Sequence, residues 1–196
     1  MIKLCAKELR TTKSTEEELK KIKKNLIYII LDNVLDTYNV GAIFRLADAV
    51  SAEKVILCGV TETPPNTRIK KASINTTEWI KWEYNASTID AIRKLREEFS
   101  TSLEQYSSSE TAKLANREVK GIQVIAIEQS EKSVPFDKTD YQFPIALIVG
   151  NETTGISKEV LEMADKIVEL PMWGVNKSLN VMVSLGIVLY EVMKQK

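Results

Sequence analysis

Histidine does not occur anywhere in the chain. Its absence removes Ser-His and Cys-His nucleophilic machinery and most zinc chemistry, leaving carboxylates, amides, hydroxyls, Arg, Lys and main-chain dipoles for any catalysis. Cysteine is nearly as scarce: Cys5 and Cys58 form no metal-ligand or disulfide spacing and read as free thiols in a reducing cytosol, so no metal site is expected. No apolar run approaches the ~18–20 residues that cross a bilayer, and the Lys- and Glu-rich start is no signal peptide, so the expectation is a cytoplasmic protein with no membrane partner. Net charge is also missing, with 27 basic residues against 27 acidic ones. That balance neither demands nor forbids a polyanionic partner. No Walker loop, dinucleotide fingerprint, internal repeat or low-complexity tract is present.

What remains is an ordinary globular composition, 44% hydrophobic and 28% charged over 196 residues, which suits one domain with a proper core. Residues 26–31 (Leu-Ile-Tyr-Ile-Ile-Leu) read as a buried strand. Residues 40–50 follow as a helix with Ile43, Leu46, Ala47 and Val50 on one face, and residues 54–59 as a second strand. Strand, helix, strand at this spacing is a right-handed crossover by default. The alternation of residues 79–84 predicts a third strand, and residues 88–99 an amphipathic helix capped by Ser87 or Thr88. Further strands are expected at 121–127, 145–149 and 167–171, with a short helix at 157–164 and irregular chain at 128–142. Residues 181–193 are apolar on every side and predict a buried helix. The tally is six strands alternating with helices: an α/β protein with a mostly parallel sheet flanked by helices.

Residues 1–24 carry eight Lys or Arg against four Glu and read as a basic lead-in, with a short surface helix capped at Thr15 ahead of a domain at 25–196. Arg68, Lys70 and Lys71 form a second basic cluster. Either could bind phosphates, or simply be a solvated face. Residues 100–120 make too long a helix-to-strand link and read as a surface insertion or a mobile segment.

Three clusters stand at or beyond the carboxyl ends of predicted strands, where open α/β sheets bind ligands. The first is Asn39-Val-Gly-Ala-Ile-Phe-Arg45: Gly41 permits close backbone approach, Asn39 can cap or bind, and Arg45 offers a fork of donors. The second is Gly150-Asn-Glu-Thr-Thr-Gly-Ile156, a loop that exposes N–H groups around Glu152. The third is Pro171-Met-Trp-Gly174 with Ser178-Leu-Asn180. Ser178 fits an N-cap, and Asn180 is an amide whose burial would require a partner.

In this order and at these separations, the clusters resemble the three motifs of the SpoU family of RNA ribose methyltransferases, within the SPOUT superfamily, from about Leu26 to Glu191. The resemblance implies a C-terminal trefoil knot, a rare exception to the rule against knots. It implies S-adenosylmethionine as cofactor, bent in the knot against Ile127, Glu128, Gly150, Leu170, Met172, Ser178 and Leu179. It implies a homodimer packed through the first motif's helix and the C-terminal helix, and RNA as substrate, with tRNA favoured over rRNA for so short a chain. Arg68, Lys70 and Lys71 would then contact RNA beside Arg45.

The implied reaction is attack of a ribose 2′-hydroxyl on the activated methyl group, so the protein mainly aligns atoms and manages one proton. Family roles carried across place Arg45 at the hydroxyl as base or orienting group, Asn39 and Glu152 holding Arg45 and the ribose, and Ser178 and Asn180 closing the site. A guanidinium is normally never deprotonated, which favours Arg45 as a phosphate positioner, with Glu152 or a phosphate as proton acceptor. Two rivals are a catalytically silent RNA-binding relative that keeps the knot and a generic nucleotide-binding oxidoreductase, which would lack its phosphate fingerprint. The chain departs from the family at Ser51-Ala52, where a Gly is usual, and at residues 100–120.

Overall fold

The computed structural model describes residues 15–107 and 121–196. Most of the expected insertion at 100–120 and most of the basic lead-in, including Cys5, fall outside the described residues. The described part of the lead-in opens with helix α1, Glu16–Lys21, where Thr15 and Glu18 cap one another reciprocally as the sequence predicts.

Strand β1, Asn25–Asp32, is the apolar run expected at the start of the domain. It leads through α2, Thr37–Ala49, to β2, Ala52–Cys58. Helix α3, Thr67–Ser73, and a 3-10 turn, Thr76–Glu78, precede β3, Trp82–Asn85. Then come α4, Thr88–Ser107; β4, Gln123–Ile127; β5, Val134–Pro135; and β6, Ile145–Gly150. Helix α5, Lys158–Leu161, strand β7, Lys166–Glu169, and helix α6, Val181–Lys194, complete the chain. All strand pairings are parallel, in the order β3-β2-β1-β6-β4-β7-β5.

Three local expectations need correction. The third strand begins at Trp82 rather than at residue 79, because the Trp79 indole donates to Asp48 Oδ1 at 2.7 Å and Ile80 is drawn into the core. The irregular stretch at 128–142 contains β5, which pairs with β7 through two residues only and makes a seventh strand. Helix α2 starts at Thr37 because Asp36 caps it, accepting from the Tyr38 N–H at 2.8 Å.

Both sheet faces are covered, so the central strands are buried almost throughout. Alternate residues of β1 divide between two cores: Ile27, Ile29 and Leu31 pack toward α2 and α6, while Tyr28 and Ile30 pack toward α4 and α5. Cys58 lies in the second core, where burial pushes its thiol up to about 12 and leaves it inert. Among the described residues no helix is long and apolar enough to cross a membrane.

The register aligns the exits of the central strands. Asp32 at the end of β1 pairs with both Cys58 of β2 and Gly150 of β6. Loops from three segments distant in sequence therefore leave the sheet at one level. Asp32 is buried and accepts from Thr88 Oγ at 2.6 Å and from the Ser157 N–H at 3.2 Å, tying the start of α4 and the loop after β6 to that edge. Ser87, not Thr88, caps α4, accepting from the Asp90 N–H at 3.3 Å.

Gly41 serves helix packing. A Cβ there would lie 2.6 Å from both Ala72 Cβ and the Ile69 carbonyl oxygen, so the close approach permitted by this glycine is that of α3 onto α2.

Candidate active site

A cavity of about 460 Å³ opens at the carboxyl edge, between the ends of β4, β6 and β7 and the chain entering α6. All seven residues expected at the cofactor line it: Ile127 and Glu128 after β4, Gly150 at the end of β6, Leu170 and Met172 after β7, and Ser178 and Leu179 before α6. Glu152 and Asn180 lie on the same wall.

The loop after β6 is built by its own amide. Asn151 Oδ1 accepts from the Thr153 and Thr154 N–H groups at 2.8 and 3.0 Å, and its Nδ2 donates to the Asn33 carbonyl at 2.9 Å. Gly155 closes the turn at φ +69°, with the Glu128 carboxylate seated where its side chain would be. Glu128 also accepts from the Ile156 N–H at 3.0 Å, so β4's exit and this loop are one unit. Across the cavity, the Gln129 side chain donates to the Lys177 carbonyl at 2.7 Å, and Lys177 Nζ to the Met172 carbonyl at 3.2 Å.

The three sequence clusters meet through a relay of polar side chains. Glu152 accepts from the Leu35 N–H at 2.9 Å, the Asp36 N–H at 3.0 Å and Asn39 Nδ2 at 2.9 Å. Asn39, only 6% exposed, in turn accepts from Asn180 Nδ2 at 3.0 Å. Partial burial works against ionisation of Glu152, but the Asn39 amide and the two N–H donors outweigh it and hold the carboxyl below its ordinary range. A carboxylate so engaged braces the entry of α2 against the loop after β6.

The N-cap assignment also changes. Helix α6 starts at Val181, so Asn180 is the cap, accepting from the Met182 N–H at 2.9 Å. Ser178 lies two residues upstream and donates through both its N–H and hydroxyl to Asn176 Oδ1, at 3.3 and 3.2 Å. Arg45 stands apart: it is exposed, six residues beyond Asn39 on α2, and absent from the cavity wall. It shares its face of α2 with the exposed Tyr38 and Ala49. Arg68, Lys70 and Lys71 lie on α3, away from this cavity and exposed; Lys70 is 3.8 Å from Glu78. Helix α6 is not buried all round, since Val183, Ile187 and Tyr190 form an exposed apolar stripe continued upstream by Leu179.

Asn151, Gln129 and Lys177 were not singled out from sequence. Asn151 sits between two chosen motif residues, and an Asx turn was the available signal. Gln129 and Lys177 act through contacts to distant backbone that no local pattern announces.

The doubly covered parallel sheet with its cavity at the carboxyl edge is the architecture of a ligand-binding α/β protein, and the chain belongs to the SpoU rRNA Methylase family, whose model matches residues 26–117 and 102–190. The tRNA (guanosine(18)-2′-O)-methyltransferase of Aquifex aeolicus is 35% identical over 187 residues, covering 94% of this chain and 76% of that one. The 23S rRNA (guanosine-2′-O-)-methyltransferase RlmB of Ralstonia nicotianae is 29% identical over 97% of this chain and 68% of its own length. Among solved structures, the A. aeolicus TrmH/SpoU tRNA modifying enzyme superposes with a TM-score of 0.70 at 31% identity, covering 96% of this chain and 81% of that chain. The AdoMet-bound rRNA methyltransferase from Sinorhizobium meliloti gives 0.69 at 30% identity, over 90% of this chain and 59% of that chain.

Proposed function

We infer that the chain is an RNA methyltransferase that transfers the methyl group of S-adenosylmethionine to a ribose 2′-hydroxyl of tRNA or rRNA, working as a homodimer. The observation that carries this reading is the Glu152–Asn39–Asn180 relay, which joins three family motifs on the rim of one cavity. The cavity fits the cofactor's chemistry. Apolar Leu170, Met172 and Leu179 can sandwich a purine, while Glu128, Glu152 and Glu169 against Lys177 give the wall a negative balance that suits a sulfonium and an ammonium. The cofactor brings a methyl group already activated for transfer, so the protein contributes chiefly alignment.

The relay fixes the entry of α2 and the start of α6 relative to the loop after β6. Ser178 and Asn180 then bound the side of the cavity open to a substrate. Arg45 lies outside that wall in its own subunit, so its place at the reacting hydroxyl requires the second copy. The exposed stripe of α6 and the neighbouring face of α2, with Tyr38 and Arg45, supply a surface for a two-fold contact. Arg45 acts there as a clamp on the nucleotide phosphate, and the hydroxyl proton leaves to a phosphate oxygen or water, because the three donors on Glu152 make its carboxylate a weak base. The trefoil knot is part of this reading, supported by the return of the chain from the outlying β7 to α6 beside α2 and β6. A tRNA target is favoured, with Arg68, Lys70 and Lys71 contacting its backbone.

Incubation of the full chain with methyl-labelled S-adenosylmethionine and separate tRNA and rRNA pools, followed by nucleoside mapping, tests the reading. A 2′-O-methylated nucleoside is expected. Label confined to a base would overturn it, and cofactor binding without transfer to any RNA would make the chain a silent RNA-binding relative.

A further inference from the structure

A second cavity, about 430 Å³ and separate from the first, lies at the far edge of the sheet. Its walls are Pro64 and Pro65 from the loop after β2, Thr67 and Lys70 of α3, Glu78 of the 3-10 turn, and Trp82 at the start of β3. Its size is within the ~300–1,000 Å³ of small-molecule sites. β3 is three strands from β6, on the order of 14 Å across the sheet at ~4.8 Å per strand.

The composition of this cavity is selective. Trp82 is an exposed aromatic on an edge strand, and its indole N–H has no partner among the described residues. Tyr84, two residues on, shares its side of the strand and is also exposed. Exposed aromatics beside cations are the usual platform for unstacked bases, and Arg68, Lys70 and Lys71 lie on the adjoining helix. Pro64 and Pro65 add apolar wall to the same cavity as the indole. At its rim is Glu78, an exposed carboxylate whose only near cation among the described residues is Lys70, at 3.8 Å, too long for a hydrogen bond. A carboxylate only accepts. Of the four RNA bases, guanine alone presents two adjacent donors, N1–H and the 2-amino group, on one edge.

We propose that this cavity is a second nucleotide site, in which one unstacked guanine of the substrate RNA, outside the methylated nucleotide, stacks on Trp82 and is read by Glu78. Lys70 and Arg68 hold its flanking phosphates. The proposal rests on the reading of the substrate as RNA, and it adds a recognition element remote from the transfer site.

Calorimetric titration of the full chain with GMP, AMP, CMP, UMP and IMP tests it. GMP is expected to bind at least about tenfold more tightly than the others, since only guanine can donate twice to one carboxylate. IMP, which lacks the 2-amino group, should fall with the weak binders. Trp82→Ala should abolish GMP binding, Trp82→Phe should keep it, and Glu78→Gln should erase the preference for GMP. S-adenosylmethionine should neither displace GMP nor lose affinity in these variants, and Trp82→Ala should raise KM for RNA about tenfold with kcat retained. Equal binding of all the nucleotides, displacement of GMP by the cofactor, or undiminished GMP binding by Trp82→Ala would overturn it. Failure of methyl transfer to any RNA with guanine binding intact would instead count against the methyltransferase reading alone.

Discussion

Asn180 and Asn39 are 141 positions apart in the chain, yet the amide of one donates to the amide oxygen of the other at 3.0 Å. Each also makes a second contact, for Asn180 caps α6 and Asn39 donates to Glu152. Two small amides thus lock the C-terminal helix, the first crossover helix and the loop after β6 into one frame around the cavity.

Replacing Asn180 with Ala removes a cap and strands a buried amide partner. A loss of about 1–2 kcal/mol is expected, together with a methyl-transfer rate lowered at least tenfold. Asn180→Asp keeps the cap but cannot donate to Asn39, so thermal melts should recover more than the transfer rate does.

Glu152→Gln tests the brace. The folded carboxyl lies below its ordinary 4.5, so its contribution is complete above that value and is lost as pH falls through the folded value. At pH 7 the variant should be less stable by about 1 kcal/mol, a modest figure because the site is open to solvent. Melting curves of the two proteins should converge as the pH drops below 4.5. A gap that stays constant into acid would show that the charge of Glu152 contributes nothing.

In the proposed dimer, Arg45 and the apolar stripe of α6 fall on one two-fold contact. Tyr190→Glu should shift sedimentation toward the monomer and abolish transfer, while cofactor binding weakens less. Arg45→Ala should raise KM for RNA, and mixing it with Glu152→Ala under subunit exchange should restore measurable activity if Arg45 serves the partner's cavity. Absence of rescue, with mixed dimers demonstrated, would place Arg45 at its own subunit's site.

Gly41→Ala sets helix propensity against contact. Alanine is worth up to ~1 kcal/mol in a helix interior, but its methyl would stand 2.6 Å from Ala72 and the Ile69 carbonyl, and overpacking of that kind costs about 1–3 kcal/mol. A net fall in melting temperature of a few degrees is expected, since 1 kcal/mol shifts Tm by ~2–4 °C at this size.

Much of this protein follows from local sequence. Residues 26–31 and 145–149 read as interior strands from their β-branched apolar runs, Thr15 with Glu18 announces a capped helix, and the motif residues stand where strands end; each of these signals is carried within a few neighbours. Tertiary structure decided what depends on separation. Trp79 left the expected strand for a bond to Asp48, Asn180 took the cap assigned to Ser178, Glu152 braced the entry of α2, and the outer face of α6 stayed exposed. Periodicity reports whether a side chain is apolar, whereas packing determines which distant polar group meets it and at what angle. The sequence therefore pointed to residues at the strand ends, and the meeting of β1, β4, β6 and β7 at one edge settled what each of them touches.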